Sequence, residues 1–507
     1  MQSNNKRIAK NTLMLYFRMF IMMGVSLYTS RIILNTLGVE DYGIYNVVGG
    51  FVSMLAFINS AMATATQRFL SFEIGKKDFT KLRNVFSMSV NIHFIIAFII
   101  LIFAETIGLW FLNTKLNIPP DRVVAAHWVY QFSILTLMVS IISVPYNAII
   151  IAHERMNIFA WVSIIEISLK LLIVFMLQWF GFDKLKLYAI LVFSVSLIIR
   201  LIYGFYCKRN FKESKFKWFW EPVLFKRLFS FSGWMLFGTS TNMLSGQGLN
   251  ILINIFFGVT VNAARGVAYS LQGAVNGFVS NFMMAVQPQI IKSYAQNNFK
   301  EMYNLVFASS KYSFFLLFYL SLPVLLLTDI VLLWWLKIIP LHTIIFTRLI
   351  IIDLFFTTLY PSIATISQAT GKVKPYQLVI SVGFLLVFVL TYLFYKLGYP
   401  SYFAFIITIV MSVLGLFARL FVLKNQIEFP IIEYFKKVLY PIIFVIILSV
   451  PIPLAIDIYI DNTVIRFFTV CTSSVLSTTL MIWIVGINKI EKTFIKNKIH
   501  NFYKKIK

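Results

Sequence analysis

With only two cysteines in 507 residues, Cys207 and Cys471, the chain has no disulfide framework: the first lies at the basic end of one apolar run and the second inside another. Acid is scarce too, with 19 Asp and Glu against 45 Lys and Arg, a formal charge of +26. Such an excess could suit a nucleic-acid binder. The cations, however, fall in short clusters between apolar runs of about 20 to 25 residues, so they read as membrane-flanking charge, and no nucleic-acid partner is expected. Also missing are a P-loop, an HExxH, a Gly-x-Ser-x-Gly and any paired-Cys motif, the usual signatures of ATP-driven pumping, metal-assisted hydrolysis and acyl transfer. The expectation is no enzyme activity, no cofactor and no metal.

What is present is apolar surface beyond what a water-soluble domain can hide: 59% hydrophobic residues, 17% aromatic and a mean hydropathy of +0.82. Against the roughly 20 residues needed to cross hydrocarbon, spans are expected at 12–36, 43–66, 85–110, 124–151, 158–180, 187–207, 229–257, 263–287, 305–336, 343–369, 377–395, 402–423, 438–457 and 464–487. That makes an all-α integral membrane protein of about fourteen helices. The first run follows Asn5-Lys6-Arg7 and is too long for a signal-peptide core, so it is expected to be a retained helix. The organisation expected is an N-lobe at 1–207, a basic linker at 208–227, a C-lobe at 228–423, a helix pair at 424–487 and a basic tail at 488–507.

About 30 of the 45 Lys and Arg fall in the N-terminus, the tail and alternate loops, against about 6 in the remaining loops. Both termini are therefore expected in the cytoplasm. The opposite loops are short, among them 37–42 and 258–262, which argues against a membrane glycosyltransferase or polysaccharide polymerase with an outer catalytic domain.

A shift of 220 residues superposes Gly38 on Gly258, Val47 on Val267, Ser60 on Ser280, Gln67 on Gln287, Phe79 on Phe299 and Asn84 on Asn304 without a gap. A shared frame through two helices and their polar loop points to internal duplication. Copies that start on the same side and hold an even number of helices are parallel repeats, with substrate expected between them.

The second span places Asn46, Gly49, Ser53, Ser60, Thr64 and Gln67 along one stripe, and the eighth places Arg265, Gln272, Asn276, Ser280 and Gln287 along another. Single small polar residues in a membrane helix usually serve packing. Paired full-length stripes of Asn and Gln need more partners than packing supplies, so they are read as lining a water-filled cleft. Among intramembrane charges, Arg18, Arg31, Arg265 and Lys311 are the candidates for an anion site, whereas Arg200 and Arg419 are expected to reach for the surface. Glu166 and Lys170, one turn apart, read equally as a structural pair or a coupling-ion site, and Asp353 as a proton acceptor or a counter-charge.

The stretch Tyr28-Thr29-Ser30-Arg31-Ile32-Ile33-Leu34-Asn35-Thr36-Leu37-Gly38-Val39-Glu40-Asp41-Tyr42-Gly43-Ile44-Tyr45 resembles the first hairpin of Wzx-type polysaccharide (O-antigen) flippases of the multidrug/oligosaccharidyl-lipid/polysaccharide (MOP) exporter superfamily. The resemblance implies a MATE-like fold of two six-helix lobes around a cationic cavity, alternating access, and a last helix pair shaping a groove for a polyprenyl tail. By likeness to related lipid-linked precursor flippases it gives roles to Arg18, Arg31, Arg265 and Asp41. The substrate implied is an undecaprenyl-diphosphate-linked oligosaccharide, with membrane lipid and other polysaccharide-assembly proteins as further partners. The nearest alternative is a cation-coupled multidrug exporter, expected to have a buried carboxylate in its first helix, where this chain has Arg. A nonenzymatic assembly scaffold is a further one.

Overall fold

A backbone inside hydrocarbon must satisfy every N–H and C=O within itself, and the described residues form helices and no strand. The structure, a computed structural model, describes residues 2–493 except 56, 115, 117, 180, 337, 338, 489 and 490, with backbone alone at 2–6, 27, 30, 31, 34, 39, 51, 53, 54 and 259. The side chains of Arg31 and Ser53, and most of the expected tail, therefore lie outside the described residues.

The main helices are α1 (Gln2–Met54), α2 (Phe57–Lys76), α3 (Phe79–Phe103), α4 (Val123–Ala152), α5 (Met156–Trp179), α6 (Lys184–Asn210), α7 (Pro222–Ala295), α8 (Phe299–Leu326), α9 (Thr343–Thr357), α10 (Tyr360–Thr370), α11 (Lys374–Lys396), α12 (Phe403–Ile427), α13 (Tyr440–Ser449), α14 (Pro451–Tyr459) and α15 (Thr463–Met481). Ten helical segments among the described residues are long and apolar enough to cross a membrane. The expected first, second, seventh and eighth spans fall on α1, α2 and α7, so the pattern is compatible with fourteen crossings. The expected span 305–336 is broken, with α8 ending at Leu326 and a shorter helix at Thr328–Leu336.

Loops were expected at 37–42 and 258–262, but α1 and α7 run on through both, each interrupted at one residue. Gly38 (φ 83°, ψ 168°) and Gly258 (φ 79°, ψ −178°) leave the helical region, and helix resumes on either side. Only glycine occupies that backbone region readily, and a Cβ at either position would meet nothing within 4 Å, so the requirement is purely conformational. Gly38→Ala and Gly258→Ala should each lower stability by about 1–3 kcal/mol, read as a lower unfolding temperature in detergent.

These glycines are partners at the 220-residue shift, and the equivalence continues in the backbone. Lys77 and Asn297, also partners, both have positive φ, 59° and 58°, and close the same pair of turn hydrogen bonds. Phe79 and Phe299 then open α3 and α8. Core positions match as well: Ile44 and Val48 are buried in one apolar cluster with Ile100 and Tyr130, while their partners Ala264 and Ala268 are buried in another with Phe346 and Phe405.

The chain divides into two compact units. The first comprises residues 1–240 and 284–299; the second comprises 241–283 and 300–507. Within the first, the basic linker is ordered: Glu213 and Ser214 are buried, and Asn91 on α3 donates to the Phe219 carbonyl at 2.8 Å.

Candidate functional site

In the first unit the polar stripe begins in a recess of 420 Å³ where α1 meets α4. Tyr45, Asn46, Gly49 and Gly50 face Phe132, Ser133, Thr136 and Ser140 across it. Amide, hydroxyl and ring groups on opposing walls suit a polyhydroxylated ligand, since rings stack on sugar faces while amides and hydroxyls exchange hydrogen bonds. Asn59 extends the set by donating to Ser140 Oγ at 2.9 Å. Further along, Ser60 is exposed and Gln67 half-buried, as is Gln287.

Arg18 is half-buried, with its guanidinium 4.6 Å from the centre of the Phe159 ring. Lys170 donates to Glu166 at 2.6 Å, the one-turn pair expected from the spacing. Asp41 is tied down at the far end of the unit, where Arg122 donates through Nε to its Oδ1 at 2.8 Å and through NH1 to Asp183 Oδ2 at 2.9 Å. Asp183 also caps α6, accepting from the Leu185 and Lys186 amides. Burial pushes Asp183 up, but the Lys186 amide and the Arg122 guanidinium together hold it below the usual carboxylate range. One arginine thus joins the beginnings of α4 and α6 to α1.

In the second unit Arg265 is half-buried and held in place. It donates to the Gly246 carbonyl at 2.8 Å and to Asn250 Oδ1 at 3.1 Å, and its guanidinium lies 4.3 Å from the Tyr269 ring centre. Both acceptors precede Gly258, so the arginine bridges the two stretches of α7. Gln272 is half-buried and Asn276 and Ser280 are exposed, while Val275, Val279 and Met283 on the neighbouring stripe are buried in an apolar cluster. Asp353 accepts from Ser412 at 2.6 Å. Lys311 is buried and paired with Glu491 at 3.0 Å.

Arg200 and Arg419 each stack on a tyrosine, Arg200 on Tyr146 and Arg419 on Tyr360, both at 3.7 Å. Arg419 is buried, so its charge is absorbed by an aromatic face inside its unit rather than at the surface, as its place near a helix end had suggested.

A second recess in the first unit was not anticipated. Around Glu154, in the turn between α4 and α5, it has a volume of 1390 Å³. Glu154 is buried and accepts from Arg7 at 2.7 Å, from Gln289 and from Lys292, while its own carbonyl accepts from Asn11 at 3.1 Å. The one signal in the sequence was an acid standing in a short loop otherwise marked by His and Arg.

The fold is shared with solved transporters of the MOP superfamily, and the chain is a multi-pass membrane protein. It superposes with a TM-score of 0.72 and 14% identity on an outward-facing multidrug resistance MATE family transporter of that superfamily, covering 84% of this chain and 96% of that one. A MOP superfamily transporter from Pyrococcus furiosus, described by the reverse polarity of its binding pocket, matches at 0.71 and 13% over 84% and 96% of the two chains. The Vibrio cholerae MATE transporter VcmN, as its D35N mutant, matches at 0.66 and 14% over 84% and 98%. No curated protein sequence matches. The family described as Polysaccharide biosynthesis protein matches residues 8–294, more than half of the chain, and the protein belongs to that family.

Proposed function

We propose that the protein is a flippase that carries undecaprenyl-diphosphate-linked oligosaccharide from the cytoplasmic to the outer leaflet of a bacterial inner membrane by alternating access. It would serve a surface polysaccharide such as O-antigen, capsule or exopolysaccharide. Membership of a polysaccharide biosynthesis family in a chain with a transporter fold is the observation behind this reading. The residues agree with it: the recess at Asn46 offers amides, hydroxyls and rings for sugar, and Arg18 and Arg265 offer guanidinium groups for phosphate. With both termini and the basic loops in the cytoplasm and the inside negative, moving a diphosphate outward gains roughly 2.3 kcal/mol per charge per 100 mV.

The test is the sidedness of lipid-linked sugar in vesicles with and without the protein. Time-dependent loss of lectin or enzyme protection of the sugar is expected only in protein-containing vesicles, and identical protection in both would overturn the reading. A cation-coupled exporter draws support from Asp353, a carboxylate of the second unit hydrogen-bonded to Ser412. Gradient-driven extrusion of a soluble dye by the same vesicles would favour that alternative.

A further inference from the structure

The recess around Glu154 is lined by none of the residues assigned to transport, and its charge is one-sided. Its walls come from the start of α1, the start of α3, the α4–α5 turn and the linker after α6, all within the first unit. Both carboxylates lining it are already engaged: Glu154 by Arg7 and Lys292, and Glu213 by His153 at 2.6 Å. Five other lining cations, Lys10, Arg83, Arg155, Lys212 and Lys217, have no carboxylate within salt-bridge distance among the described residues. All five are exposed, so their charges are open to a ligand from solvent.

The wall is built rather than draped. His153 stacks on Phe211 with ring centres 4.3 Å apart, and the Lys217 amide donates to Ser87 at 3.4 Å. With Asn91 holding the Phe219 carbonyl, these contacts fix the linker to α3 and to the α4–α5 turn, and Trp218, also a lining residue, is exposed. Positive-inside bias accounts for Lys and Arg near a membrane surface, but not for five of them around one concavity whose acids are neutralised from within.

We propose that this recess is a binding site for a diphosphate-bearing ligand. Guanidinium and ammonium groups arrayed around a concavity match the two phosphate groups, and the volume leaves room for a group attached to them that could lie against Trp218. The diphosphate could belong to a lipid headgroup or to a soluble molecule. The inference concerns binding alone, so its failure would leave the flippase reading standing, and failure of the flippase reading would leave this site to be judged by the experiment below.

Inorganic pyrophosphate is titrated by calorimetry into the full chain in nanodiscs of zwitterionic lipid. Saturable binding is expected, weakened at least about tenfold in a Lys10→Gln, Arg83→Gln, Arg155→Gln variant. A charge-matched control with Lys300→Gln, Lys396→Gln and Lys424→Gln removes the same charge away from the recess and should bind as the parent does. Absence of saturable binding, or equal weakening in both variants, overturns the proposal. Repeating the titration in discs containing an anionic phospholipid separates the sources. Loss of pyrophosphate binding there, restored in discs of zwitterionic lipid, assigns the site to a lipid headgroup; unchanged binding assigns it to a soluble diphosphate.

Discussion

Glu154→Ala is expected to destabilise the protein by about 3–5 kcal/mol, the effect of removing one partner from a buried ion pair and leaving the other charge uncompensated. The Glu154 side chain is fully buried and Lys292 is 14% exposed, so water can replace little of what is lost. Arg7, on the exposed side, would resolvate and contribute less. A second effect can be separated from the first: Glu154 sits at φ 60°, the left-handed region in which side chains are strained. Glu154→Gly removes the carboxylate together with that strain, and should be less damaging than Ala by about 1 kcal/mol. Thermal unfolding of the purified protein in detergent measures all three forms. Equal midpoints for the parent and the Ala variant would show that the carboxylate does not hold this corner together.

The larger functional effect is expected at Arg265. Its guanidinium is clamped by Gly246 and Asn250 and backed by Tyr269, while its Nε is buried with no hydrogen-bond partner among the described residues. A clamped guanidinium is pre-organised for phosphate, whose oxygens its planar fork can meet two at a time. Charge-assisted hydrogen bonds contribute about 1.5–3 kcal/mol each, so losing two should slow flipping by about a hundredfold or more in Arg265→Ala. Arg265→Lys keeps the charge, loses the fork, and should fall between. If Arg265 served only to bridge the two stretches of α7, Asn250→Ala would reproduce its effect, and transport per folded molecule would be unchanged in both. The vesicle assay, normalised to folded protein, distinguishes these outcomes.

The helices were legible because crossing hydrocarbon demands length and hydropathy, two properties written locally. The 220-residue duplication was legible as well, and the structure repeats it at Gly38 and Gly258 and at Lys77 and Asn297. Loop against kink was not: a Gly between two apolar runs looks the same whether the chain leaves the helix for several residues or for one. Polar partnerships were hidden for another reason. Arg122 finds Asp41 across 81 residues, Gln289 finds Glu154 across 135, and Lys311 finds Glu491 across 180, and spacing along one helix says nothing about such meetings. Glu166 and Lys170 were the exception because four residues bring them onto one helical face. The stacking of Arg200 and Arg419 on tyrosines escaped notice because a position near a helix end suggested escape to water.

The turn that contains Glu154 can be set beside the one that ends α10, where Gly371 also has a positive φ, 78°. At the first turn the left-handed residue carries the acid on which Arg7, Gln289 and Lys292 converge; at the second it has no side chain at all. Symmetry in such a chain is a property of torsion angles, and specialisation is a property of what is hung on them.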